Sequence, residues 1–307
     1  MPVAWLGRGV REIFRRELIP ARLRWWFVAE GMCDWYLLLR RELAPHLGGE
    51  AAASAVLARL SVSVFHRRYD RLPVALGIAL PDRARAPSAV GLLMGGLYRL
   101  ASAPKARFIF DDVGGGPRSF AEHRRAEELM TPMTMAQRWD ELTHHLGELL
   151  IALTEGLPPH MSRARGILGD LCFAAGVRFS KKMRKAFDLE TTPEGALEVL
   201  RMSEYIFQVN PEHWGESSAE RGTGYLEGTA CPWFTAPGWN GAHCGIFGQF
   251  QAGISSVFGL RYHLTTTIPK HGGHTCRIDL KPLPLGRKRA LDVGTTSRAP
   301  RTSSEGS

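Results

Sequence analysis

Three cysteines in the last quarter of the chain carry its strongest chemical signal. They are Cys231 in Ala230-Cys231-Pro232-Trp233, Cys244 directly after His243, and Cys276 close behind His274. Thiolates and imidazoles gathered in this way support two kinds of chemistry. Cys231, Cys244, Cys276 and His274 could hold zinc or ferrous iron and leave a position open for substrate. Alternatively, Cys244 is a nucleophile with His243 moving its proton. In that case Glu227 serves as an auxiliary acid or base if burial raises its pKa. The third reading is that the cysteines are small buried residues without chemistry. The steps of 13 and 32 residues between them, with no C-x-x-C pair, are not those of a zinc finger. The side chains expected to contact a small-molecule substrate are Trp233, Tyr225, His213 and Gln251.

The elements that must position these residues are legible in part. Arg8 to Leu18, Arg22 to Leu43 and Ala51 to Tyr69 read as helices, the first ended by Pro20. The second carries Trp25 and Trp26, expected as aromatic packing between helices, with interfacial membrane contact or a protein interaction surface as the alternatives. From Leu72 to Pro117 dense proline and the Gly114-Gly115-Gly116 run indicate a loop-rich connector, with a short apolar segment over Val90 to Leu100. Helices are expected over Phe120 to Leu129, Ala136 to Thr154 and Ser162 to Phe187. The last places Cys172 on its apolar side, as a core residue. Thr192-Pro193-Glu194 opens another, with Thr192 as N-cap and Pro193 at the first helical position. It stops near Asn210-Pro211, and Asn210 to Glu216 reads as a turn.

Beyond that turn the period changes. Gly224 to Cys231 reads as a strand, with Tyr225, Glu227 and Cys231 facing one way. Gly241 to Phe258 reads as a helix with Cys244 and Gln251 on one face. Leu260 to Ile268 and Thr275 to Leu280 alternate as strands. Cys276, Ile278 and Leu280 share the covered face, and Cys244 should feel the field of a helix first turn, which lowers a thiol pKa. The order predicts an α+β fold, a helical N-terminal half followed by helices packed on a small antiparallel sheet. The organisation expected is a helical region and connector over 1–120, an α+β unit over 121–285, and a disordered basic tail over 286–307. Whether residues 1–120 form a separate domain or the first layer of one body stays open.

Composition narrows the function classes. Five cysteines in 307 residues do not make a disulfide framework. The net charge of +9 sits at the ends: residues 1–83 hold thirteen Lys/Arg against eight acids, and residues 281–307 hold six against two. The region with the cysteines is neutral, so no nucleic-acid partner is expected. No stretch reaches the roughly 18 apolar residues of a membrane span. The N-terminus shows no secretory h-region, so a cytoplasmic location is expected. A homo-oligomer is admitted.

Residues Gly166 to Leu280 resemble two groups, the L-2-amino-thiazoline-4-carboxylic acid hydrolase family and the 4-vinyl-reductase-type small-molecule-binding domain. The residues carrying the resemblance are a helix with an internal glycine (Ala174-Ala175-Gly176), a helix of the Glu194 to Phe207 kind, and Cys231-Pro232. Cys244 opening a helix and the closing Gly273-His274-Thr275-Cys276-Arg277-Ile278 complete it. The chain departs from the hydrolase pattern by having Gly245 after the helix-opening cysteine and Gly272-Gly273 in the closing turn, where acids are usual. The resemblance implies opening of a small cyclic C–N or C–S substrate by activated water or a thiolate. Its second form implies a ligand-binding or sensory module whose cysteines line a metal or ligand site.

Overall fold

The computed structural model describes residues 9, 11–69, 134–207, 212–267 and 275–283. Among them, six long helices run in the order α1 (Ala21–Leu47), α2 (Glu50–Tyr69), α3 (Met135–Gly156), α4 (Ala164–Phe187), α5 (Pro193–Phe207) and α6 (Gly241–Ser256). Four strands, β1 (His213–Ser218), β2 (Thr223–Gly228), β3 (Leu260–Thr266) and β4 (Cys276–Pro282), form one antiparallel sheet in the order β1-β2-β4-β3. The α+β class and the packing of C-terminal helices on the sheet are therefore as expected. The connector from residue 70, the Phe120 to Leu129 helix, His274 and the tail from 286 lie outside the described residues, as do the side chains of Trp25 and Trp26.

Local signals explain most boundaries. The Thr134 hydroxyl accepts from the Gln137 N–H at 3.2 Å, and the Gln137 side chain returns a bond to the Thr134 N–H, which fixes the start of α3. Thr192 Oγ1 accepts from the Gly195 N–H at 3.2 Å at the start of α5. α1 runs past its expected end at Leu43, through Pro45, and stops at Gly48 with φ 88°.

The expected turn over Asn210 to Glu216 is corrected. His213–Ser218 is an edge strand that pairs with β2 through a hairpin closed at Gly222, φ 63°. Its inward positions are His213, Gly215 and Ser217 and its one large apolar residue, Trp214, faces outward, so no apolar alternation announced it. β2 likewise ends at Gly228, and Cys231 lies beyond it in the loop that leads to α6.

One face of the sheet is covered by α5 over β1 and β2 and by α6 over β3. Leu226, Ile278, Leu280 and Leu260 from the strands meet Leu197, Leu200, Ile254 and Phe258 there. Phe14, Ile19 and Val28 from the N-terminal region join this core. A second core sets Leu39 and Leu43 of α1 and Leu57 of α2 against Leu149, Ile151 and Leu153 of α3, Leu168 of α4 and Ile246 of α6. The N-terminal helices are thus a layer of the same body. Cys172 is buried there as expected.

The tightest packing is between α4 and α6. A Cβ at Gly176 would overlap the Phe250 carbonyl oxygen, and one at Gly253 would overlap the Phe173 carbonyl oxygen. The helices therefore meet backbone to backbone, and the Ser180 hydroxyl donates to the Ile254 carbonyl at 3.1 Å. Gly253→Ala is expected to cost about 2–3 kcal/mol, because backbone cannot step aside as a side chain can. Gly245→Ala, whose Cβ would have nothing within 4 Å, should instead gain about 1 kcal/mol. Urea denaturation of the two variants checks the contrast.

Candidate functional site

The loop after β2 folds back onto the helices through two indoles. Trp233, 1% exposed, donates from Nε1 to the Thr143 carbonyl at 2.7 Å and lies over Gly147 of α3, where no Cβ stands in its way. Its ring meets Trp239 at 4.9 Å and Phe247 at 4.8 Å between centroids. Trp239 donates from Nε1 to Cys244 Sγ at 3.3 Å. Trp233, expected to touch substrate, is a structural anchor.

Cys231 and Cys244 both pack against the core that holds these indoles. Cys231 lies within electrostatic reach of both Cys276 and Cys244, and Tyr262 within reach of Cys244 and Cys276. All three cysteines are partly exposed, unlike Cys172. Cys276 stands beside Gly228 on the covered face of the sheet, in line with Ile278 and Leu280, as expected. Among the described residues, no group of three or more His, Cys, Asp or Glu is arranged to hold a metal ion.

The expected lowering of the Cys244 pKa is corrected. Burial pushes it up, against the opposing hydrogen bond from Trp239. Burial pushes Cys231 to about 12, against N–H groups of Trp233 and Phe234 that favour its thiolate. Both are thiols at neutral pH.

His243 also departs from expectation. It is 4% exposed, and both ring nitrogens are engaged. Nδ1 accepts from the Asn240 N–H at 3.1 Å, closing the N-cap box of α6, so Nε2 carries the proton and faces Thr154 Oγ1 at 2.7 Å. The ring stacks on Trp239 at 5.2 Å. Burial lowers its pKa, Arg165 acts in the same sense, and Glu155 opposes them. It caps a helix and has no nitrogen left for a thiol.

Glu227 and Tyr225 fall on the wrong side. Cross-strand pairing puts Glu227 with Trp214 and Arg277, and Tyr225 with Glu216 and Asp279, on the face away from the helices. Arg277 bonds Glu227 at 3.2 Å and Asp279 at 3.1 Å, and its guanidinium lies 4.1 Å from the centre of the Tyr225 ring. The sheet itself separates this network from Cys276. His213 sits next to Gly228 in the register, on the same face as Cys276.

Gln251 is buried on the cysteine side. The Tyr262 hydroxyl donates to its Oε1 at 3.0 Å, and its Nε2 donates to the Glu204 carboxylate. Glu204, 1% exposed, is a site residue the sequence reading missed. Its signal was present, because Leu197, Leu200, Glu204 and Phe207 fall on one apolar stripe of α5 and an acid interrupts it.

No protein-family model, curated protein or solved structure matches the chain.

Two measurements follow from this geometry. The His243 value lies below its ordinary 6.5, so its contribution to stability is complete above pH 6.5. It declines as pH falls below that value, because the unfolded chain takes up the proton first. Denaturation midpoints of wild type and His243→Gln should converge as pH drops from 7 to 5. Gly147→Ala would push Trp233 out and expose Cys231, whose labelling at pH 8 should rise by about tenfold per unit of pKa lost.

Proposed function

We propose that the chain is a small-molecule-binding module of the 4-vinyl-reductase-type, with its ligand held beside Cys231, Cys244 and Cys276. The observation that supports this reading is three partly exposed cysteines on separate segments, Cys231 within electrostatic reach of the other two and those two within reach of Tyr262, which bonds Gln251. Thiols that stay protonated contribute polarisable, weakly polar surface, which suits holding an organic ligand. Activation of one thiol by His243, with Glu227 assisting, is the less favoured reading. The histidine is committed to the helix cap and the glutamate lies across the sheet. A ring-opening hydrolase on this site would need water activated by another group. Zinc or iron on the cysteines remains the further proposal of the resemblance, with His274 as its imidazole.

The test pairs binding with consumption. A panel of small heterocycles, including 2-amino-thiazoline and its 4-carboxylate, is screened by thermal denaturation. A true ligand raises the midpoint and slows modification of Cys231, Cys244 and Cys276 together by methyl methanethiosulfonate, without being consumed. Ring loss that disappears in Cys244→Ser would return the reading to a hydrolase. Cysteines that no small reagent reaches would reject the site.

A further inference from the structure

Six large apolar side chains are exposed among the described residues, and three of them, Ile13, Leu18 and Leu23, fall in one short stretch. Scattered exposed leucines are ordinary, whereas a cluster of them marks a contact surface. The local structure explains why they stand outward together. The helical segment over 11–15 closes with Glu17 in the left-handed region at φ 54°. The Leu18 N–H donates to the Ile13 carbonyl at 3.0 Å and the Glu17 N–H to the Phe14 carbonyl at 3.1 Å. These two bonds make the common left-handed helix ending, in which the residues corresponding to Ile13 and Leu18 frequently touch. The Tyr205 hydroxyl donates between the Glu17 and Ile19 carbonyls, at 2.5 and 3.3 Å, and pins the backbone on either side of Leu18. Phe14 and Ile19 are buried, so the corner is anchored while Leu18, 62% exposed, is held off the core. Pro20 is exposed as well, and Leu23 follows it in the first turn of α1.

The charge beside this apolar corner comes from a neighbouring helix. The corner's own arginines are committed, Arg11 to Glu198, Arg15 to Glu194 and Glu198, and Arg16 to Glu12. Phe14, however, meets Phe187 edge-on at 5.5 Å between centroids, and Phe187 ends α4. The last turns of α4 expose Arg178, Lys181, Lys182, Arg184 and Lys185, with no acid between them. Among the described residues none of the five is held in an ion pair.

We propose that this corner and the basic end of α4 dock the protein on an anionic phospholipid surface, with Leu18 as the apolar wedge. The proposal is independent of the thiol site and of whatever that site binds. An anionic bilayer suits both parts of the patch, because apolar side chains enter the acyl boundary while lysines and arginines stay among the headgroups. Each basic side chain close to such a surface strengthens binding roughly fivefold. The net charge of +9 adds a long-range pull in the same direction. No described helix is long and apolar enough to cross a membrane, and the docking proposed needs none. A protein partner, including a second copy of the chain, is the competing occupant of any apolar patch. The lysines argue against it, since lysine is depleted where proteins meet.

Flotation of the full chain with vesicles tests this, using phosphatidylcholine alone and phosphatidylcholine with about a third phosphatidylglycerol. Wild type should bind the anionic vesicles about tenfold more tightly than the neutral ones. It should come off in about 1 M salt, where screening acts within roughly 3 Å. Leu18→Glu, at an exposed position, should weaken binding by about tenfold or more, the loss of one inserted leucine. Lys181→Gln combined with Lys185→Gln should weaken it by roughly thirtyfold. Trp214→Ser, which removes an exposed aromatic from the outer face of the sheet, should leave it unchanged. Circular dichroism checks the folding of each variant. Wild type that floats with neither vesicle, or equally with both, overturns the proposal. Undiminished binding in a folded Leu18→Glu also overturns it, and if that variant does not fold, undiminished binding in the lysine pair does so. A dimer in sedimentation equilibrium that Leu18→Glu dissociates, with no flotation of wild type, would assign the corner to a protein partner instead.

Discussion

The backbone contact between α4 and α6 sets the rest of the arrangement. Gly176 and Gly253 let two helices approach until each backbone touches the other, closer than side chains in ordinary ridge-and-groove packing allow. Such a contact fixes how α6 is rotated about its axis as well as where it lies. That rotation decides that Gln251 and Cys244 look toward the sheet while Gly245 looks to solvent. The helix accepts glycine at 241, 245, 248 and 253, each costing roughly 1 kcal/mol in helix propensity. Burial of Ile246 and Ile254 and the Asn240 cap offset that cost.

The chemistry of the thiols is decided by competition between two effects of known size. A helix N-terminus is worth about 0.3–1 kcal/mol to a nearby negative charge, which is less than one pKa unit. Desolvation of a buried group shifts its pKa by up to several units. At Cys244 burial wins even with an indole N–H on the sulfur. The same accounting keeps His243 neutral. A cysteine–histidine neighbour pair in sequence thus becomes two unrelated jobs in space, one side chain lining a site and the other closing a helix.

Most of the architecture could be read from the sequence, because long elements announce themselves through period and caps. The apolar faces of α3, α4 and α5, the Thr192 cap and the alternation of Leu260, Tyr262 and Leu264 are all of this kind. The placement of Cys276 on the covered face of β4 and of Cys244 in the first turn of α6 was also legible. Two things were not. The edge strand β1 has no apolar side chain on its covered face, and strand pairing leaves no mark in such a segment. The face assigned to Cys231 failed for a related reason: β2 stops at Gly228, and counting by twos past a strand end carries no meaning. That is why Glu227 was grouped with a thiol from which the sheet divides it. Trp233 was misread because aromatic residues beside a cysteine look alike in sequence, whether they meet a ligand or plug a gap over Gly147.

The indole of Trp233 over Gly147 gives the loop after β2 an unusual dependence. Trp233 in that loop bonds a carbonyl some ninety places earlier on α3, the helix whose Thr154 also holds His243 beside Cys244. Damage confined to α3 would therefore surface as a change in cysteine behaviour far along the chain. Conversely, a molecule seated beside those sulfurs would bear on α3 through a rigid aromatic wedge and through the His243 ring.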